Sequence, residues 1–346
     1  MRTEHRIVSD DARSMDEVPD ESVDLLVTSP PYPMIEMWDE TFATLDPDIA
    51  SALAEGDGGA AFERMHAILD AVWAEASRVL SDGGIACVNV GDATRSLDGR
   101  FRCYPNHARV VDAFDRLGFD VLPDILWRKP TNRTTKFLGS GMLPSNAYVS
   151  LEHEYVLVFR KGGPRRFAPG DERRYESAYF WEERNVWFSD VWTDVTGTSQ
   201  PLSDDELRER SAAYPFEIPY RLINMYSIYG DTVLDPFWGT GTTSLAAMAS
   251  ARDSVGFELE PAFVTAFDEQ LSTIQTLARG RIDDRLTQHE EFVEARTQQG
   301  TAFDYRATNY DVPVTTKQEQ DVQFYDIDRI EREDDRYVLH HDPYRR

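Results

Sequence analysis

The stretch "VLDPFWGTGTT", residues 233–243, carries the strongest structural pattern in this chain. Its apolar start predicts a buried strand that ends at Asp235, and Gly239 and Gly241 follow just before a helical pattern. Glycines in that position let the backbone approach a ligand closely, and the amino end of the following helix favours negative charge. The stretch therefore predicts the ligand-binding loop of an α/β sheet.

A second acid stands at the end of the next predicted strand. In "VGFELE" that strand ends at Glu258, where a doubly wound sheet places a carboxylate that accepts hydrogen bonds from ribose hydroxyls. The loop lacks the third glycine of G-x-G-x-x-G and also the lysine of a phosphate-binding P-loop. A nucleoside ligand without phosphates, such as S-adenosylmethionine, fits these residues better than NAD does.

Strand and helix patterns alternate elsewhere in the chain, which predicts an α/β layered fold with a mostly parallel sheet. The predicted strands are 5–11, 22–29, 85–90, 119–130, 232–235 and 254–258, and the clearest helices are 62–80 and 106–118. From 131 to about 214 the alternation breaks, apart from one strand in "EHEYVLVFRKGG". Beyond 296 the chain is acidic and weakly patterned, with a hairpin predicted in "VQFYDID" and "RYVLHH".

The charge of the chain is strongly negative. Its 346 residues include 62 acidic and 36 basic ones, a net charge of −26, and only four of the basic residues are lysine. Near 1 M salt the Debye length falls to about 3 Å, so the negative charges of such a surface repel one another little. The composition therefore indicates adaptation to a salt-rich cytoplasm. An acidic protein of an ordinary cytoplasm is the alternative.

The remaining composition limits the classes of protein that fit. Two cysteines, Cys87 and Cys103, are too few for a disulfide framework or a zinc site, so no metal is expected. No apolar signal region or run of eighteen apolar residues is present, so a cytoplasmic protein without a membrane partner is expected.

A proline-rich turn follows the predicted strand "VDLLV". The sequence there is "TSPPY", residues 28–32, and together with "DPFWGTGTT" it resembles the amino-directed DNA methyltransferases, whose motif is [D/N/S]-P-P-[Y/F]. The proline motif precedes the glycine loop, which is the β-type, circularly permuted order of that family. The resemblance covers roughly 5–130 and 215–265, and "DILWRKPTN", "EHEYVLVFRKGG" and "AAYPFEIPYRLI" also resemble family segments.

This resemblance implies a Rossmann-like, S-adenosylmethionine-dependent methyltransferase fold, circularly permuted, with an inserted target-recognition region. Four intervals are predicted on that basis: the catalytic half at 1–130, the target-recognition region at 131–214, the cofactor-binding half at 215–295 and an acidic extension at 296–346. The two motif strands are expected to be neighbours at the point where the strand order reverses, so both motifs open at the carboxyl edge of the sheet.

The family resemblance assigns the catalytic roles to Ser29, Pro30, Pro31 and Tyr32. An exocyclic base nitrogen is a poor nucleophile, and acceptors aimed at its hydrogens favour the pyramidal, positively charged nitrogen that forms during methyl transfer. In the family these acceptors are the first motif side chain and the next carbonyl, here Ser29 and Pro30, and the prolines fix the backbone. Tyr32 is expected to stack on a flipped base, which contributes roughly 1–3 kcal/mol.

The resemblance and the glycine-loop pattern together give the expected cofactor site. Asp11, at the end of the first strand, matches the family acid that meets the adenine of the cofactor. Aromatic residues beside a glycine loop are as often core residues as ligand contacts, which leaves both readings open for Phe237 and Trp238. The cofactor-binding residues predicted are Asp11, Asp235, Phe237, Gly239, Gly241, Thr242 and Glu258.

Serine at the first motif position bears on the target base. In the family, S-P-P-Y goes mostly with the N4 amino group of cytosine and D-P-P-Y with the N6 amino group of adenine, which remains the alternative. No Pro-Cys dipeptide occurs, so the nucleophile of cytosine-C5 methylation is missing. Acidic relatives of this type include methylases of CTAG, and that sequence is the target suggested by resemblance.

A basic segment coincides with the break in the α/β pattern. Residues 128–184 contain 11 Arg or Lys against seven Asp or Glu, in a chain of −26. A protein that binds double-stranded DNA needs such a basic patch to contact the phosphates. The alternative is an insertion that carries arginine on its surface and has no role in DNA binding. The DNA-binding residues predicted are Lys129, Arg133, Lys136, Arg165 and Arg166.

Other functions stay open from the sequence. An RNA or protein-glutamine methyltransferase would use the same cofactor, although those enzymes usually place the glycine loop before the P-P-Y motif. A non-catalytic DNA-binding relic is disfavoured because both motifs are intact, and a nicotinamide oxidoreductase is disfavoured by the missing third glycine. A cognate restriction endonuclease is a further candidate partner.

Overall fold

A computed structural model describes residues 1–129, 138–196, 213–333 and 336–346. Its strands, in chain order, are β1 (Arg2–Val8), β2 (Val23–Thr28), β3 (Leu80–Val90), β4 (Ala93–Leu97), β5 (Arg100–Tyr104), β6 (Phe119–Val121), β7 (Ile125–Arg128), β8 (Leu138–Gly139), β9 (Ala147–Tyr148), β10 (His153–Lys161), β11 (Val191–Trp192), β12 (Thr232–Asp235), β13 (Asp253–Phe257), β14 (Tyr305–Ala307), β15 (Val312–Val314), β16 (Tyr325–Glu333) and β17 (Arg336–Pro343). The helices are α1 (Asp39–Leu45), α2 (Asp48–Ala54), α3 (Gly58–Val79), α4 (Asn106–Arg116), α5 (Glu172–Glu176), α6 (Trp181–Trp187), α7 (Glu217–Tyr226), α8 (Thr242–Ala249), α9 (Pro261–Leu271) and α10 (Ile274–Gln298).

One large sheet organises the fold. Its strand order is β11-β7-β10-β3-β2-β12-β13-β1-β17-β16, and β6 also pairs with β10. The five strands from β3 to β1 are parallel, whereas β10 runs antiparallel to β3 and β7, and β17 runs antiparallel to β1. The expected α/β fold is confirmed, and its five central strands are parallel as predicted; because the strands on both sides of them pair antiparallel, the sheet as a whole is mixed rather than mostly parallel.

The central strand β2 shows why the sequence has a nearly continuous apolar run there. Val23 and Leu26 contact the core on the side of α3 and α4, and Leu25 and Val27 contact the core on the opposite side, beneath α7 and α8. A strand covered by helices on both faces has no solvent face on which polar residues could alternate. Every residue of the strand except Asp24 is therefore buried, and its carboxyl end leads directly into the proline motif.

Helix α3 illustrates how the flanking layer is specified. The side chain of Asp57 caps its first turn by accepting a hydrogen bond from the Ala60 amide at 3.0 Å. Buried residues then recur at helical spacing, including Met65, Leu69 and Trp73, and they pack on the sheet.

Two of the predicted intervals, 131–214 and 296–346, contribute strands to the main sheet. Within 131–214, β10 is an interior strand of the main sheet between β3 and β7, because its alternate residues are buried in both cores. Within 296–346, β17 pairs with β1 and β16 pairs with β17, so the hairpin predicted there extends the sheet. The predicted strand 119–130 is interrupted and forms β6 and β7. No helix in the described ranges is long and apolar enough to cross a membrane.

Candidate active site

The sheet brings the two sequence motifs together at its carboxyl edge. Strands β2 and β12 are parallel neighbours, with Leu25 paired to Val233 and Leu26 to Leu234. The Thr28 hydroxyl at the end of β2 donates a 2.6 Å hydrogen bond to Asp235 at the end of β12. The expected adjacency of the proline motif and the glycine loop is confirmed.

Asp235 joins these two loops through a buried carboxylate. Besides Thr28, it accepts hydrogen bonds from the Thr243 hydroxyl and from the Phe237 amide at 3.1 Å. Burial raises the pKa of Asp235 to about 6, and the hydrogen bonds only partly oppose that rise. All three donors belong to the protein, so the carboxylate holds together the two loops at this edge of the sheet.

The two loop glycines have different reasons to be glycine. Both have positive φ, 54° at Gly239 and 78° at Gly241, which L side chains rarely adopt. A Cβ at Gly241 would lie 2.5 Å from a ring carbon of Phe267, whereas a Cβ at Gly239 would meet nothing closer than the Phe237 carbonyl at 3.9 Å. Gly241 is therefore required by packing, and Gly239 leaves space that a ligand can occupy.

Glu258 closes the other side of the glycine loop. Its carboxylate accepts hydrogen bonds from the amides of Gly239 at 2.7 Å and Glu260 at 2.8 Å. Burial raises the pKa of Glu258 to about 7 even though these amides favour the ionised form. A partly buried carboxylate beside an open glycine fits a ligand that donates hydroxyl hydrogen bonds, as ribose does.

The neighbouring loop residues divide between core and site. Trp238 is 2 % exposed, and its indole N–H donates to Ser244 at 2.8 Å, so this side chain belongs to the core. Phe237 is partly buried and packs edge-on against Trp73, with 5.7 Å between ring centroids. Thr242 begins α8, where its hydroxyl could meet a ligand at the helix amino end.

Asp11 lies on the loop after β1, which pairs with β13 beside Glu258. Its carboxylate accepts hydrogen bonds from the backbone amide of Arg13 at 2.9 Å and from the guanidinium of the same residue. Burial alone would raise the pKa of Asp11, but the Arg13 hydrogen bonds outweigh it and lower the pKa. The structure thus places Asp11 at the same edge of the sheet as the glycine loop, in an ion pair with Arg13.

A hydrogen-bonded cluster surrounds the proline motif. Tyr32 Oη lies 3.1 Å from Ser29 Oγ, donates to Glu154 Oε2 at 2.9 Å and accepts from Asn89 Nδ2 at 2.8 Å. Glu154, on β10, is 8 % exposed and accepts from Asn89 at 2.8 Å and from Lys129 Nζ at 2.8 Å. Asn89 Oδ1 is buried and has no hydrogen-bond partner in the described part of the chain. The cluster thus ties Ser29 and Tyr32 of the proline motif to polar side chains of β3 and β10.

The backbone after the motif is held separately. Asn106, fully buried at the start of α4, donates to the carbonyls of Pro33 at 3.1 Å and Gly91 at 2.9 Å. Its own carbonyl lies 3.0 Å from the ring nitrogen Nε2 of His66. Together with the rigid φ of Pro30 and Pro31, these bonds fix the turn that presents the motif.

The predicted DNA-binding residues fall in different places. Lys129 lies at the carboxyl edge, directed to Glu154. Arg165 follows β10 at the opposite, amino edge, where it makes a bidentate ion pair with Asp231 at 2.6 and 2.9 Å, and Arg166 is its exposed neighbour. Arg133 and Lys136 lie outside the described residues. The structure therefore does not bring Arg165 and Arg166 together with the motifs.

A basic hairpin at the carboxyl edge was missed by the sequence reasoning. Strands β4 and β5 follow β3 and present the exposed side chains of Arg100 and Arg102, which make no ion pair with any described residue. Between them, Phe101 stacks on Tyr148 of β9, with centroids 4.6 Å apart and ring planes at 7°. The signal was available in "SLDGRFRCY", because Asp-Gly between extended segments is a strong hairpin indicator.

Asn89 and Glu154 were also missed. Asn89 is a polar residue in the otherwise apolar strand "IACVNV", and Glu154 directly precedes the apolar run "YVLVF"; that contrast is the only sequence signal. No group of three or more His, Cys, Asp or Glu that could hold a metal ion occurs among the described residues.

Comparisons with known proteins agree with this arrangement. The family model for N6 and N4 methyltransferases, described as DNA methylase, matches residues 23–269. The type II methyltransferase M.MthZI of Methanothermobacter thermautotrophicus is 51% identical over 94% of this chain and 91% of its own length. M.MjaI of Methanocaldococcus jannaschii, also a type II methyltransferase, is 50% identical over 79% of this chain and 93% of its own.

Solved structures extend the comparison to the fold and the cofactor. TTHA0409 of Thermus thermophilus, crystallised in complex with S-adenosyl-L-methionine, superposes with a TM-score of 0.59 at 33% identity, covering 78% of this chain and 95% of that one. The Rossmann-like methyltransferase fold expected from the sequence is thereby confirmed. The chain belongs to the N6/N4 family of DNA methylases, and S-adenosyl-L-methionine is its methyl donor.

Proposed function

We propose that this methylase modifies the N4 amino group of cytosine, in a base flipped out of duplex DNA. The observation that carries the proposal is Ser29, a neutral hydroxyl at the first motif position, hydrogen-bonded within a cluster that contains the buried Glu154. The adenine-N6 reaction is the alternative, since the two chemistries need the same kind of acceptor. RNA or protein substrates are disfavoured, because the relatives that match most of the chain are named type II methyltransferases.

The motif residues act on the amino group before and during transfer. The Ser29 hydroxyl and the Pro30 carbonyl accept the two amino hydrogens and so favour a pyramidal nitrogen whose lone pair is available. The Tyr32 ring stacks on the flipped base, and its hydroxyl is anchored by Asn89 and Glu154, which restricts the orientation of the ring. The cationic product amine is acidic enough to lose its proton afterwards, so no strong base is required.

The cofactor-binding residues position the methyl donor opposite the amino nitrogen of the target base. When bound, S-adenosyl-L-methionine supplies an electrophilic methyl group on a sulfonium. Gly239 leaves room for its nucleoside, Glu258 accepts the ribose hydroxyls, and Asp11 receives the adenine end. Asp235 keeps the glycine loop fixed to the end of β2, so that the two bound groups meet at one edge of the sheet.

For DNA, the carboxyl edge offers Lys129 and the β4–β5 hairpin with Arg100 and Arg102. We propose that these residues contact phosphates, and that Arg165 and Arg166 do not, because they lie at the opposite edge. The proposed target remains CTAG, and a cognate restriction endonuclease remains a candidate partner. The acidic composition supports a salt-rich cytoplasm, so assays should include molar potassium chloride.

Nucleoside mass spectrometry of DNA methylated by the purified protein tests the choice of base. We expect N4-methylcytosine as the main product, and Ser29→Ala should lower kcat far more than it lowers cofactor affinity. N6-methyladenine as the main product would refute the cytosine assignment. Modified-base sequencing of the same DNA then reads the target, and any motif other than CTAG would correct that part of the proposal.

A further inference from the structure

The cluster around Tyr32 has a defined hydrogen-bond direction, which follows from counting donors. Glu154, as a carboxylate, can only accept, and three donors reach it: Tyr32 Oη, Asn89 Nδ2 and Lys129 Nζ. The single phenolic hydrogen of Tyr32 is therefore committed to Glu154. Burial first, and the charge of Glu154 next, raise the pKa of Tyr32 well above its usual range, so the phenol retains that hydrogen.

In its other two hydrogen bonds, Tyr32 Oη must therefore be the acceptor. Its oxygen has two lone pairs, and Asn89 Nδ2 at 2.8 Å donates to one of them. The Ser29 hydroxyl, at 3.1 Å, can only fill the other by donating its own hydrogen. Ser29 Oγ consequently has no hydrogen left for a ligand and presents only lone pairs.

We infer that Glu154 acts through Tyr32 to fix the direction of the Ser29 hydroxyl, so that Ser29 meets the target amino group only as an acceptor. A free serine hydroxyl donates as readily as it accepts, whereas an aspartate at the same position can only accept. The relay Glu154–Tyr32–Ser29 gives the serine the polarity of an aspartate while the negative charge stays two hydrogen bonds away. This inference rests on the proposed role of Ser29 as the acceptor, and Glu154 is a positioning residue in it.

The relay predicts a specific pattern of coupling between variants. Glu154→Gln can donate to Tyr32 as well as accept from it, so the direction of the chain is no longer fixed. We expect kcat to fall roughly 10- to 100-fold, the range set by losing one hydrogen bond to a charged group, with the affinity for S-adenosyl-L-methionine within twofold of wild type. Tyr32→Phe removes the middle link, so Glu154→Gln should add less than threefold to the loss already caused by Tyr32→Phe.

A double-mutant cycle on duplex DNA tests this pattern, with kcat, KM and cofactor affinity measured for both single variants and the double variant. Asp120→Asn is the control. Asp120, on β6, pairs with Arg160 at the end of β10 far from Glu154, so removing its charge should leave kcat unchanged. If the effects of Glu154→Gln and Tyr32→Phe multiply in the double variant, Glu154 does not act through the Tyr32 hydroxyl and the inference is overturned. Unchanged kcat in Glu154→Gln would overturn it equally.

The same experiment separates this inference from the proposed function. Ser29→Ala with undiminished kcat would refute the role of Ser29 itself. A large loss in Ser29→Ala, combined with multiplying effects of Glu154→Gln and Tyr32→Phe, would refute only the relay. If Glu154→Gln fails to fold, Tyr32→Phe with wild-type kcat serves as the refuting result, since it breaks the relay without removing the buried carboxylate.

Discussion

The pH dependence of cofactor binding should report directly on Glu258. Burial raises the pKa of this carboxyl to about 7 in the free protein. Ribose hydroxyls donate more strongly to a carboxylate than to a carboxylic acid, so binding favours the ionised form. Affinity should therefore rise as the pH rises through about 7 and level off above it. From pH 8 to pH 6 the protonated fraction grows from about one-tenth to nine-tenths, which weakens binding roughly tenfold, or about 1.4 kcal/mol.

Isothermal titration calorimetry at pH 6, 7 and 8, in two buffers of different ionisation enthalpy, measures both the affinity and the protons released. Near pH 7 about half a proton should leave Glu258 per ligand bound. Glu258→Gln is the control, since it retains only the titration of the ligand's own amino group and should lose the additional pH dependence. Equal pH profiles in wild type and Glu258→Gln would show that this carboxylate does not contact the hydroxyls of the ligand.

Three further perturbations test the packing and the DNA surface. Gly241→Ala should lower the free energy of unfolding by on the order of 1–3 kcal/mol in chemical denaturation, because its Cβ would overlap an aromatic ring; Gly239→Ala, with open space, should cost less, and the reverse order would contradict the packing argument. Arg165→Gln leaves the buried Asp231 carboxylate without its partner, so it should lower the free energy of unfolding by roughly 1–3 kcal/mol and leave DNA affinity unchanged in a filter-binding assay. Neutralising Arg100 and Arg102 should reduce the log–log salt slope of DNA binding by about 0.9 for each phosphate that is no longer neutralised, and an unchanged slope would place the DNA elsewhere.

The sequence predicted the parts of the fold in which one local pattern decides the structure. Strand β2 has a nearly continuous apolar run because both of its faces are covered, and the proline motif and glycine loop mark the ends of two adjacent strands. The order of the two motifs then indicated the permuted topology. These features depend on local burial, on the backbone freedom of glycine and on the fixed φ of proline, which a single sequence displays.

Helix α10 shows what a single sequence conceals. Its buried residues include Arg285 and His289 among Ile282 and Leu286, so its apolar pattern is weak. Arg285 is buried because it pairs with Glu183, which is distant in the chain. In the sequence, a charged residue whose partner is distant in the chain cannot be distinguished from a surface residue. For that reason the sequence did not predict this helix.

The same reason explains the part of the site that the sequence left out. Glu154 is buried only because Lys129, Tyr32 and Asn89 converge on it from three other segments. Arg165 is the contrasting case: a net positive segment predicted DNA contact, whereas its side chain pairs with Asp231 at the other edge of the sheet. The net charge of a segment does not show at which edge of the sheet each of its residues lies. The direction of β10 decides this, because it carries the chain from the carboxyl edge to the amino edge.

The position of β1 in the sheet has a consequence for how the protein is made. This strand pairs with β13 on one side and β17 on the other, with His5 opposite Ser254 and Arg2 opposite His340. Its nearest partner thus leaves the ribosome about 250 residues later, a delay of roughly 12–50 s at 5–20 residues per second. The nascent chain therefore carries β1 as an unpaired strand until β13 emerges, and chaperone occupancy of this strand would be expected to end only then.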